Sequence, residues 1–285
     1  MVIAVMCSSC STGRYAANVD YPPVTDTGYT PAGALEEVFY RPSEAGISEK
    51  RMLVYLPEGY YSSNERYPVL YLLHGARGNE TSWIRKGHLL HETDSLRASR
   101  LIGEFIIVMP NMNDYDNEAD FGRSREKNVW ESAFEIDGDV EYFFIHDIVN
   151  TVDSLFRTIP DKSHRALAGL SIGGFQAIHI SASYPDDFSY IGIFSPVTGT
   201  VISHGTHSRI LRGLHHKLET LFTSDRPELY WIMIGKGDFL YSRVADFADG
   251  LKWLGYDFEF ITSKGGHDWD NWRAYCNIFM QQLWK

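Results

Sequence analysis

Ser171, Asp238 and His267 lie far apart in the chain, yet each sits within two residues of a glycine and just after an apolar run. Gly169-Leu170-Ser171-Ile172-Gly173-Gly174 fits G-x-S-x-G, a tight strand-to-helix turn that lifts a serine hydroxyl above a sheet. The glycines have a steric reason, since such a turn leaves no room for flanking side chains. Context strengthens the match, because strand-like Arg165-Ala166-Leu167-Ala168 precedes it and helix-like 175–180 follows. A glycine-rich turn with an incidental serine is the bland alternative. Phosphate cradling is a third, but neither a Gly-Lys-Ser/Thr ending nor G-x-G-x-x-G is present.

A serine hydroxyl is a poor nucleophile near neutral pH, so it needs an imidazole to take its proton and a carboxylate to hold that imidazole's tautomer. On an elbow scaffold the acid comes after the serine and the histidine after the acid, each on a turn following a later strand. Asp238 follows the apolar run 230–234, and His267 follows 258–262. Asp246 and Asp249 are rival acids but fall on a helical pattern, and Asp257 opens a strand. Asp268 and Asp270 read as carboxylates at a helix N-terminus. The backbone N–H of Ile172 and of Ala76, in the loop His74-Gly75-Ala76-Arg77-Gly78, are the candidate oxyanion donors. His74 precedes the serine and ends a strand, so it reads as orienting that loop.

These positions require strands to carry them. Strand-like runs are expected at 36–40, 51–56, 69–73, 105–109, 165–168, 190–194, 229–234 and 258–262, the first two pairing antiparallel. Helical patterns at 140–156, 173–184, 243–254 and from 268 onward alternate with them, the signature of a mainly parallel sheet of about eight strands with helices on both faces. Residues 34–285 read as one catalytic domain. Residues 11–33, rich in Gly, Pro and Thr, read as a flexible tether. No internal repeat is found. An insertion, 197–226, is expected to lie over the site.

With 285 residues, 44% of them apolar, the chain can bury one substantial core. A formal charge of −11 without a basic cluster excludes a nucleic-acid surface. No apolar run reaches the roughly 18 residues of a membrane span. Val2 to Met6 followed by Cys7-Ser8-Ser9-Cys10 resembles the end of a truncated lipoprotein signal, with Cys10 the lipid-bearing residue. On that reading the protein is exported, lipid-anchored to a bacterial envelope or periplasmic, and touches membrane only through Cys10. Of the three cysteines, Cys276 then has no partner and reads as a small core hydrophobe. Asp114, Asp116, Glu118 and Asp120 lack EF-hand spacing and read as a solvated loop. His204, His207, His215 and His216 lack a third ligand and read as solvated. No metal and no cofactor is expected.

Tyr71-Leu72-Leu73-His74-Gly75 with Trp83 beyond it, 165–174, Tyr184-Pro185-Asp186-Asp187-Phe188, Gly237-Asp238 and Gly266-His267-Asp268 together resemble the "Putative esterase" family of α/β-hydrolases, from about Leu35 to the C-terminus. That family includes esterase D, feruloyl and acetylxylan esterases, enterochelin esterases and mycolyltransferases. The lead-in Val54-Tyr55-Leu56-Pro57-Glu58-Gly59-Tyr60 with Tyr67-Pro68 matches the secreted, feruloyl-esterase-like branch. The resemblance implies an α/β-hydrolase fold and a serine esterase acting on feruloyl or acetyl esters of plant cell-wall polysaccharide. An acyltransferase, an S-formylglutathione hydrolase-like thioesterase and a non-catalytic binding module are the alternatives. Ala76-Arg77 and Ile172 depart from the family's usual residues and leave substrate preference open. Trp83, Tyr115, Phe121, Trp130 and Tyr241 are candidates to stack on an acyl group or sugar, although core packing is the commoner fate of any one of them.

Overall fold

Runs of five to seven residues dominated by Val, Ile, Leu, Tyr and Met make the strands, because such side chains pack well on a pleated surface buried on both sides. In the computed structural model, which describes residues 2–4, 28–43, 49–112, 139–198 and 207–285, nine strands form one sheet. They are β1 (Val2–Ala4), β2 (Ala34–Tyr40), β3 (Lys50–Leu56), β4 (Val69–Leu73), β5 (Ile106–Pro110), β6 (Arg165–Leu170), β7 (Tyr190–Phe194), β8 (Leu229–Gly235) and β9 (Glu259–Ser263). Their spatial order is β1-β2-β3-β5-β4-β6-β7-β8-β9. β2 and β5 run antiparallel to β3, and every other pair is parallel. The eight strands expected are present, within a residue or two at their ends, and the three-residue β1 adds an edge.

The helices are α1 (Ser82–Arg85), α2 (Leu89–Ala98), α3 (Asp139–Phe143), α4 (Asn150–Leu155), α5 (Ile172–Ser183), α6 (His207–Thr223), α7 (Tyr241–Trp253) and α8 (Trp269–Met280). A wider π-type turn, Phe144–Val149, joins α3 to α4, so the expected helix over 140–156 is one path with a change of pitch. Alternate strand residues serve opposite cores. Val69, Tyr71 and Leu73 pack with residues of α5, α6 and α7, whereas Leu70 and Leu72 pack with α2 and α8. Trp272, Tyr275, Cys276, Phe279 and Met280 form the buried stripe of α8. Cys276 is a free, buried thiol, and burial raises its pKa.

Two expectations need correction. Tyr29 and Ala32 already belong to the folded body, because Asp94 accepts hydrogen bonds from Tyr29 Oη at 2.8 Å, Ala32 N–H at 2.8 Å and Tyr55 Oη. A buried carboxylate with three donors pins the end of what read as tether. Of the insertion 197–226, residues 199–206 lie outside the described residues and 207–223 form α6, whose Leu214, Leu218, Leu221 and Phe222 join the core beside α5. His215 and His216 on it are exposed. Cys7, Cys10 and the acidic loop 114–120 lie outside the described residues. Among the described residues no helix is long and apolar enough to cross a membrane, and no group of three or more His, Cys, Asp or Glu could hold a metal.

Candidate active site

β6 delivers Ser171 to the centre of the sheet's C-terminal edge, where α5 begins one residue later. Ser171 adopts φ 55° and ψ −114°, a strained conformation for a residue with a Cβ that persists only where its surroundings hold it. Here they do. Ser171 N–H donates to Phe194 O at 2.8 Å, Ser171 O accepts from Phe175 N–H at 3.1 Å, and a Cβ on Gly169 would lie 2.4 Å from Gly173 O. One on Gly173 would lie 2.4 Å from His74 O, so the start of α5 presses against the end of β4. Ser171 is 8% exposed.

The turn after β8 carries Asp238 and the turn after β9 carries His267. The two turns are clasped by Lys236 N–H to Ser263 O at 2.8 Å and Gly237 N–H to Gly265 O at 3.1 Å. His267 Nδ1 stands 2.8 Å from Asp238 Oδ2, and its Nε2 stands 3.1 Å from Ser171 Oγ. Asp238 Oδ1 accepts from Leu240 N–H at 2.9 Å. Burial alone would raise the Asp238 pKa, but the hydrogen bonds from His267 and Leu240 outweigh it and hold the carboxyl below its usual range. An ionised Asp238 fixes the proton of a neutral His267 on Nδ1 and leaves Nε2 free to accept from Ser171. The rivals lie elsewhere: Asp246 and Asp249 are exposed on α7, and Asp257 pairs with Arg226. Asp268 caps α8, accepting Asn271 N–H at 3.0 Å.

The two expected oxyanion donors flank the serine. Ile172 is the first residue of α5, so its N–H has no intrahelical acceptor. The loop bearing Ala76 is close by, since a Cβ on Gly75 would lie 3.3 Å from Ser171 Cβ. Two devices hold that loop. His74 Nδ1 pairs with Gly75 O at 2.8 Å while its Nε2 accepts Met112 N–H at 3.0 Å, the pattern of a neutral ring. Farther along, the buried Glu80 carboxylate accepts Arg51 Nε at 2.8 Å. Nothing in the sequence pattern pointed to that ion pair, because Arg51 and Glu80 meet only after β3 and the loop are in place.

Of the aromatic candidates, Trp83 is a correction. It is 1% exposed, its indole N–H donates to Leu73 O at 3.0 Å, and it packs edge-on against Phe194 and Trp269. It supports β4 from within the core, where no substrate reaches. Tyr241 is half-buried at the start of α7 and donates its N–H to Asp238 O at 3.0 Å. Tyr115, Phe121 and Trp130 lie outside the described residues. Two rings the sequence reading missed touch the imidazole: buried Trp272, edge-on at 4.9 Å, and Phe239 at 4.7 Å. Their positions beside His267 and Asp238 in sequence were the available signal.

Burial pushes His74 down to about 4 and His179, inside the core next to Phe175, down to about 3. Both folded values lie below the ordinary 6.5, so the folded state resists protons that the unfolded chain binds. Stability from these two rings is complete above pH 6.5 and declines as pH falls through the window down to about 4 for His74 and about 3 for His179. Thermal midpoints measured from pH 7 to pH 4 should therefore fall, and the fall should shrink in His179→Gln. A flat profile would contradict the burial of both rings.

A family model described as "Putative esterase" matches residues 43–277. The chain is 32% identical over 238 residues to an endo-1,4-beta-xylanase/feruloyl esterase of Xylanibacter ruminicola, covering 81% of this chain and 29% of that protein. It therefore spans less than a third of that relative's length. An acetyl esterase of Caldicellulosiruptor saccharolyticus is 25% identical over 248 residues, covering 76% of this chain and 83% of that one. Among solved structures, a ferulic acid esterase superposes with a TM-score of 0.70 at 25% identity, over 90% of this chain and all of its own. The ferulic acid esterase AmCE1/Fae1A of Anaeromyces mucronatus shares the fold, with a TM-score of 0.70 at 21% identity, over 91% of this chain and 93% of its own.

Proposed function

Since the chain belongs to the "Putative esterase" family of α/β-hydrolase fold, we propose that it hydrolyses carboxylic esters through an acyl-enzyme on Ser171, with feruloyl or acetyl esters of plant cell-wall polysaccharide as substrates. The observation that carries the mechanism is the continuous line from Asp238 Oδ2 through His267 to Ser171 Oγ, with steps of 2.8 and 3.1 Å. Ser171 Oγ attacks the ester carbonyl as its proton passes to His267 Nε2. The carbonyl oxygen, now negative, is met by the N–H groups of Ile172 and Ala76, each such donor being worth about 3 kcal/mol. Collapse of that intermediate breaks the bond to the alcohol oxygen, which leaves with the proton from His267. Water then attacks the acyl-enzyme by the same route in reverse, returning the proton to Ser171. Asp238 stabilises the imidazolium formed in both halves. The names of the Xylanibacter and Caldicellulosiruptor relatives support the choice of acyl groups.

The test is a substrate panel of methyl ferulate, acetylated xylan and S-formylglutathione, with a fluorophosphonate probe located by peptide mass spectrometry. Turnover of one of the first two and a probe adduct on Ser171 are the expected results. Absence of ester hydrolysis, or an adduct elsewhere, would overturn the reading. Acyl transfer to an added sugar in preference to water would make the protein a transferase with the same nucleophile.

A further inference from the structure

Phe239 is 71% exposed, although its ring centroid lies 4.7 Å from that of the His267 imidazole, at an interplanar angle of 55°. A single exposed apolar side chain needs no explanation by itself. This one is held outward by its neighbours, because Asp238 and Leu240 on either side are buried. Its backbone is also fixed. Asp238 N–H donates to Gly235 O, Leu240 N–H to Asp238 Oδ1 and Tyr241 N–H to Asp238 O, at 3.0, 2.9 and 3.0 Å. The imidazole itself is 17% exposed, so Phe239 stands where solvent and the proton-carrying ring meet.

We propose that Phe239 is the platform for the alcohol half of the ester, and that it takes the C–H face of an uncharged sugar ring. The inference rests on the esterase reading above. In that reaction His267 Nε2 returns its proton to the departing oxygen, which must come within about 3 Å of the nitrogen. Whatever the oxygen is attached to lies beside the imidazole, and among the described residues the exposed aromatic ring touching that imidazole is Phe239. An aromatic face is electron-rich and apolar. A sugar ring offers it a patch of C–H groups while its hydroxyls stay in water, so both surfaces gain by contact. A small alcohol such as methanol is too short to cover the ring, which makes the contact selective for the alcohol and indifferent to the acid.

The experiment compares wild type, Phe239→Ala and Phe239→Tyr on two esters of one acid, the acid being whichever the wild type hydrolyses fastest. One ester carries a pentose oligosaccharide as alcohol and the other carries methanol. In Phe239→Ala, KM for the sugar ester is expected to rise about tenfold with kcat held within a factor of two. The ratio of kcat/KM for sugar over methyl ester should fall by the same factor. Phe239→Tyr, which keeps the ring, should restore the ratio. An equal loss on both esters, or no change on either, would overturn the proposal, the first outcome meaning that Phe239 serves only the imidazole. Wild type inactive on both esters would overturn the esterase reading, and this proposal with it.

Discussion

Replacing Ser171 by alanine is expected to lower kcat/KM on the best ester by about 10⁴-fold or more, because the atom that forms the covalent intermediate is gone. The fold should be kept. Alanine has a Cβ like serine, so the strain at φ 55° is unchanged, and the turn's backbone bonds to Phe194 and Phe175 do not involve the hydroxyl. What is lost is one hydrogen bond to His267, worth about 1 kcal/mol. Initial rates read beside a thermal melt check both halves. Activity above a hundredth of wild type in a folded S171A protein would remove Ser171 from the reaction.

Asp238→Asn should cost kcat about 10⁴-fold, a loss out of proportion to the single atom changed. Oδ1 accepts Leu240 N–H and Oδ2 faces His267 Nδ1. An asparagine has one acceptor oxygen. With that oxygen held by Leu240, its NH₂ group points at Nδ1 and forces the imidazole proton onto Nε2. In that tautomer Nε2 is a donor toward Ser171 and no longer an acceptor. Steady-state rates at pH 7 test this, and a loss below tenfold would mean that another group orients His267. Fluorophosphonate labelling of Ser171 should slow in parallel, since it uses the same proton transfer.

The strands were legible because each is a short apolar run with turn residues at both ends, and β4 and β7 begin and end where the pattern does. Ser171, Asp238 and His267 were legible for a related reason: each follows such a run, so locating the strand locates the residue. What the pattern could not give were contacts between segments far apart in sequence. In the sequence Trp83 is a candidate stacking platform, although core packing is the commoner fate of such a residue, and only the packing of Phe194 and Trp269 around it decides. Asp94 holds Tyr29 across 65 residues, and Arg51 meets Glu80 across 29. The segment 207–223 reads only as part of an insertion, and its place in the core depends on where α5 presents its face.

Gly235 ends β8 three residues before Asp238, and Gly265 stands two residues before His267. A methyl group on Gly235 would fall 1.9 Å from Gly265 O, and one on Gly265 would fall 2.4 Å from Asn271 Nδ2. The gap between carboxylate and imidazole is therefore gauged by two positions with no functional group. Either could be changed to alanine without touching a reacting atom, and the loops would have to spread. The most demanding distance in the molecule is guarded by hydrogen atoms.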